Sequence, residues 1–118
     1  MSRYLLSVYQ PDGPKPPPAA LHAIMEKVDA LRAEMKEAGV LVLTAGLEPP
    51  SRAAVVRPAT GGALVTDGPF AETKEFLGGF TLVEAADRET ALAWARRLSA
   101  ATSLPIEVRA VVTPAAGE

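Results

Sequence analysis

Residues 79–112 read GFTLVEAADRETALAWARRLSAATSLPIEVRAVV. The hydrophobic period of this stretch changes twice. Phe80 and Leu82 alternate with Thr81 and Val83, the period of two that marks a strand over residues 79–84. Asp87 follows as a helix N-cap, with Glu89 placed in the electropositive first turn. Ala91, Leu92, Ala95 and Leu98 then recur at helical spacing. Arg96 and Arg97 are expected near the helix's negative C-terminal end. Residues 105–112, PIEVRAVV, alternate again as a final strand. The stretch is therefore a strand–helix–strand unit.

A second such unit stands at the other end of the chain. RYLLSVYQ (3–10) alternates as a strand, with Tyr4, Leu6 and Val8 on one side and Leu5, Ser7 and Tyr9 on the other. Five prolines between residues 11 and 18 then forbid further ladder pairing and require a stiff surface loop. Over residues 19–38, Leu21, Ile24, Met25, Val28, Leu31, Met35 and Ala38 form the stripe of an amphipathic helix. Glu26, Asp29, Arg32, Glu34 and Lys36 fall largely outside it. Pro18 suits its first turn and Gly39 its C-terminal cap. VLVLTA (40–45) is the next strand, ended by Glu48-Pro49-Pro50. Residues 53–57 and 63–66 read as two short strands turning at Thr60-Gly61-Gly62.

The order is β-α-β, hairpin, β-α-β. That predicts an α+β domain over residues 1–118 with the split βαβ, ferredoxin-like plan and an inserted hairpin, its helices covering one face of a mainly antiparallel sheet. Residues 113–118 are expected to form a flexible tail. The helix-covered face is assembled from Tyr4, Leu6, Val8, Phe80, Leu82, Ile106 and Val108. The opposite face then carries Leu5, Ser7, Tyr9, Thr81, Val83, Glu107, Arg109 and Val111. This mixture is too apolar for a plain solvent face and too polar for a closed core. It predicts a homodimer in which two sheets face each other, the wall of a ligand cavity, or both.

Composition narrows the function classes. The chain has no cysteine, which excludes disulfides, thiolate metal sites and a cysteine nucleophile. A net charge of −2 with mixed signs offers no basic cluster for nucleic acid. The opening residues lack the pattern of a signal peptide, and no apolar run has the length of a membrane span. The expectation is a cytoplasmic protein that contacts neither membrane nor nucleic acid. The chain has no P-loop, no GxSxG elbow, no HExxH and no GxGxxG. His22, the one histidine, has no local partner for base chemistry and reads as a surface residue. No metal site or cofactor is expected.

The sharpest candidate is the polar stretch TDGPFAETKEFLGGF, residues 66–80. Asp67 can accept backbone N–H bonds in an Asx turn, Gly68 permits an unusual backbone shape, and Pro69 presets the next φ. Glu72, Lys74 and Glu75 are expected on a short helical turn. Lys74 is suited to holding an anion and Glu72 or Asp67 to moving a proton. Gly78-Gly79 permits close approach of a backbone or a ligand. The candidate ligand-binding set is Asp67, Gly68, Pro69, Phe70, Glu72, Lys74, Tyr9 and Arg109. The same loop also satisfies a purely structural reading, as a rigid connector.

VTDGPFAETKEFLGGFTLVEAADRETALAWARRL resembles the YCII-related family, in particular its DGPF group. The resemblance extends to RYLLSVY, to the helix ending in EAGVLV, to LEPP and to PIEVRAV. It implies a ferredoxin-like fold that pairs into a dimeric α/β barrel, and for some relatives a functional link to extracytoplasmic-function sigma factors. Other relatives resemble small lyases that use a His-Asp pair. That pair does not carry over: the histidine's counterpart falls near Val28, and residues 99–104, where the aspartate belongs, contain no carboxylate. The expected function is thus a small-ligand binding or regulatory protein. The alternatives are a small lyase- or isomerase-like enzyme with a loop carboxylate as proton carrier, and a structural oligomerisation module.

Overall fold

Strand β1 (Ser2–Pro11) runs through the middle of the sheet in the computed structural model, which describes residues 1–112; the predicted tail at 113–118 lies outside them. After β1 come α1 (Pro18–Glu37), β2 (Leu41–Gly46), a 3-10 turn at Pro50–Arg52, β3 (Ala54–Ala59) and β4 (Gly62–Asp67). The chain continues through β5 (Glu75–Ala85), α2 (Arg88–Thr102) and β6 (Ile106–Ala110). Four strands form one sheet in the order β2-β5-β1-β6, with every neighbouring pair antiparallel, while β3 and β4 form a separate two-stranded sheet. This is an α+β fold with two helices on an antiparallel sheet, compatible with the ferredoxin-like plan.

The C-terminus of α1 and the N-terminus of α2 form as their sequences dictate. Gly39 has φ +74°, a conformation that suits glycine. Its N–H donates to Lys36 O at 3.0 Å and that of Val40 to Met35 O at 3.0 Å, a Schellman closure of α1. Asp87 caps α2 by accepting from the Thr90 N–H at 2.8 Å. Helix α2 runs to Thr102, beyond the end expected from the Leu98 stripe. Arg96 and Arg97 therefore lie in its body rather than in its last turn. Arg97 instead pairs with Glu34 of α1 and lies over the Trp94 ring.

The core lies where the C-terminal half of α1 and the apolar side of α2 meet the sheet. Leu31, Met35, Ala91, Ala95 and Leu98 pack on Tyr4, Leu6, Val83 and Ala85. One expectation is corrected here. Tyr4 is paired with Val83 and Leu6 with Thr81, and partners in a ladder share a face. Thr81, Val83 and Ala85 therefore face the helices, while Phe80 and Leu82 lie on the opposite face with Ser7 and Leu5. Alternation separates the two sets but does not say which faces the helices; pairing register decides, because a shift of one residue exchanges the faces of a whole strand. Thr81 is accommodated inside because its hydroxyl meets that of Thr44 at 3.1 Å.

The second face of the sheet has no cover. Leu5, Phe80 and Leu82 are half-buried on it, Leu43 and Leu77 are exposed, and the ion pairs Arg3–Glu84 and Glu107–Arg109 flank them. The β3-β4 hairpin is exposed along nearly all its length. It projects from the body as an arm bearing Val56, Leu64 and Val65 on its surface.

Candidate functional site

The apolar stripe of α1 divides in two. Val28, Leu31 and Met35 are buried, but Leu21 and Met25, about two turns and one turn earlier, are 39% and 43% exposed. Sequence periodicity cannot tell these halves apart. What differs is the sheet beneath them. Opposite the C-terminal half stand Val83 and Leu41, which fill the space. Opposite the N-terminal half the floor includes Gly46 paired with Gly79, which offer no side chain. A groove of about 1550 Å³ results between α1 and the sheet.

Its roof is Leu21, Ile24, Met25, Val28 and Arg32, and its floor Val8, Gly46, Gly79 and Thr81. Leu98, Thr102 and Leu104, around the end of α2, line it as well. Three loops add to the lining: residues 12–16, residues 47–51 apart from Glu48, and residues 69–74 apart from Phe70. The first and last are tied together where the Asp12 N–H donates to Lys74 O at 2.8 Å. A bulge in β5 opposite Val8 and Tyr9 leaves Gly78 unpaired there. The Gly46–Gly79 contact is close: a Cβ on Gly79 would stand 2.9 Å from Ala45 O. Gly79 thus permits the close approach of β2 and, with Gly46, leaves the groove floor without side chains.

The sequence-derived site residues separate into three places. Pro69, Glu72 and Lys74 reach the groove. The expected helical turn at Glu72–Glu75 does not form: residues 69–74 are bends and irregular chain, with the Thr73 hydroxyl donating to Glu75 O, and Glu75 opens β5. Asp67 and Phe70 lie outside the groove lining, on the arm. Asp67 ends β4 opposite Ala54. Among the described residues its carboxylate accepts no hydrogen bond, so the expected Asx turn is absent. Phe70 is 72% exposed, with the Arg57 guanidinium 4.9 Å from its ring centroid. Gly68 is required for a reason other than its backbone angle. Its N–H donates to Ala53 O at 2.7 Å, and a Cβ there would sit 2.8 Å from Ala53 Cβ. A cis peptide joins it to Pro69.

Tyr9 and Arg109 lie on the uncovered face, away from the groove. Arg109 Nε donates to Glu107 Oε1 at 2.6 Å. That hydrogen bond and the Glu107 charge raise the guanidinium pKa further, with a smaller contribution from Tyr9. His22 Nε2 is 2.9 Å from Glu26 Oε1 on the exposed side of α1, a surface pairing outside the groove. Among the described residues no group of three His, Asp or Glu is placed to hold a metal ion, and no helix is long and apolar enough to cross a membrane.

The chain matches the YCII-related domain over residues 2–114. It belongs to the YCII-related family. It is also similar to an uncharacterised protein of Rhizobium meliloti (strain 1021), 45% identical over 76 residues. That alignment takes in 64% of this chain and 61% of the relative, so the chain spans less than two thirds of the relative's length. Within this YCII-related chain, Val28 and Thr102 both line the groove. The resemblance given above places the lyase-like relatives' histidine near Val28 and their aspartate within residues 99–104. Neither side chain here is an acid or a base at neutral pH.

Sequence reading missed Arg32, Gly46 and the exposed half of the α1 stripe. Arg32 could have been found: it lies four residues beyond Val28 and eleven beyond Leu21, on the same helix face. Its charge is what hides it, because charge on an amphipathic helix ordinarily marks the solvent side.

Proposed function

We propose that this YCII-related protein binds a small organic ligand in the groove beneath α1 and works as a homodimer. The groove itself carries the reading. An apolar helix stripe that faces bare glycines loses burial worth roughly 25 cal/mol for each Å² left in water. Any bulkier residue at Gly46 would begin to fill the gap. Apolar walls with a few convergent polar groups are what small-molecule sites present. The uncovered sheet face supports the second half of the proposal. Two copies pairing these faces would bury Leu5, Leu43, Leu77, Phe80 and Leu82 in a dimeric α/β barrel. Where such a protein stands beside an extracytoplasmic-function sigma factor, the ligand would be the signal.

A thermal-shift screen of metabolites tests the groove. A ligand at about a hundred times its Kd stabilises the protein by about 2.7 kcal/mol and raises Tm by several degrees. The reading is wrong if no compound shifts Tm in a concentration-dependent way. An enzymatic reading has one specific observation in its favour, Glu72 at the mouth beside Lys74. Under it, Glu72→Gln abolishes turnover and leaves Tm unchanged.

A further inference from the structure

Arg32 is the charged residue on the groove roof, on the same face of α1 as Leu21, Met25 and Val28. Its Nε is shielded from water and has no hydrogen-bond partner, the one buried side-chain nitrogen or oxygen so placed among the described residues. Nη1 lies 3.7 Å from Asp29 Oδ1 along the helix, an outward pairing that leaves the other edge of the guanidinium unused. Neither Nε nor Nη2 donates to any acceptor among the described residues. That edge has two parallel N–H groups in a fixed fork, the geometry that matches the two oxygens of a carboxylate. A donor taken out of water and left unpaired is costly, so an acceptor arriving in the groove gains more there than at an exposed arginine.

We propose that the groove takes an organic acid with an apolar body, its carboxylate held side-on by Nε and Nη2 of Arg32 once the guanidinium, whose Nε is shielded from water, turns toward the groove. This rests on the groove reading above and names the class of ligand. The two ends of the ligand meet matching chemistry: the body lies between Leu21, Ile24 and Met25 on one side and Val8 on the other, and the charged end reaches Arg32. Lys15 and Lys74 are offset by Asp12 and Glu72, which line the groove as well, so the positive charge that distinguishes the site is that of Arg32. Thr81, on the floor, is occupied with Thr44 and is not needed to hold the acid.

Octanoate and octanamide are the probes, because they share a body and differ in charge. Titrations are followed by amide chemical shifts in the whole chain, reading Gly46, Gly79 and Thr81. Octanoate is expected to shift these signals and to bind at least about tenfold more tightly than octanamide, the margin a charge-assisted pair brings over a neutral one. In Arg32→Gln, whose fold is checked by the dispersion of the same spectrum, that margin is expected to vanish. Equal binding of the two probes to the wild type overturns the Arg32 assignment while the groove stands, and this comparison needs no variant. A margin that persists in Arg32→Gln also overturns it. If neither probe moves the groove signals, both the assignment and the groove reading fall for this ligand class.

Discussion

At Asp87 one carboxylate oxygen accepts two hydrogen bonds from Thr90, from the backbone N–H at 2.8 Å and from the hydroxyl at 2.7 Å. The hydroxyl and backbone bonds, in that order, lower its pKa below 3.8. A carboxyl whose folded pKa is depressed contributes stability above its unfolded pKa and loses it as pH falls through the folded value. The Asp87 contribution is therefore complete at neutral pH and disappears below about pH 3.8, the ordinary aspartate range. Asn also caps helices but does not titrate. Thermal melts by circular dichroism from pH 7 to pH 2 should show a smaller acid loss for Asp87→Asn than for the wild type. Asp87→Ala should lower Tm by about a few degrees at neutral pH as well. Identical acid slopes for wild type and Asp87→Asn would remove this residue from the account. Asp87 was legible in the sequence because a cap is local chemistry. Gly68 was legible as a necessary glycine but for another cause, since Ala53, which excludes its Cβ, lies fifteen residues away in the chain.

At the scale of elements, β5 joins the core to the groove. Its inward residues Val83 and Ala85 are almost wholly buried, while Gly79, further back along the same face, leaves the groove floor open. Gly78 and Gly79 adjoin in sequence yet differ in what a methyl group would meet. At Gly79 it would stand 2.9 Å from the Ala45 carbonyl oxygen, a backbone atom of the neighbouring strand. At Gly78 its nearest neighbours would be side-chain atoms of Gln10, the closest at 2.6 Å, and that exposed chain can rotate away. Gly79→Ala is expected to cost about 1–3 kcal/mol through the forced shift of β2, and Gly78→Ala less than about 0.5 kcal/mol. Urea denaturation of the two variants checks the contrast, and equal costs would show that the β2-β5 approach is not tight. The existence of β5 was readable from its alternation. Its facing was not, because both alternating sets contain apolar or small residues and only pairing with β1 chose between them.

For the whole molecule, the radius of gyration is 16.7 Å, against about 13–14 Å for a compact chain of this length. The excess reflects a flat body, with extents of 49 × 48 × 18 Å, and an arm that shares no core with it. An isolated two-stranded hairpin is marginal in water, and a sheet with one apolar face open is a surface for association. Both features fit the homodimer proposed above. Light scattering at micromolar concentration should give twice the 12.3 kDa chain mass. Leu43→Glu with Leu82→Glu should give one chain mass with native circular dichroism, since neither side chain belongs to the inner core. A wild-type monomer would refute the pairing of these faces.

The sequence by itself determined the order of the elements, their caps, the interrupting prolines and the family, because each is written in neighbouring residues or in an extended motif. Only the tertiary structure decided which set of β5 residues turned inward, that α1 stands clear of the sheet along half its length, and that Arg32 meets that space. The physical reason is common to all three. Ladder register, and a void bounded by separate elements, depend on which backbones lie side by side, and residues such as Gly46, Gly79 and Arg32 acquire a shared role only after the chain has brought β2, β5 and α1 together.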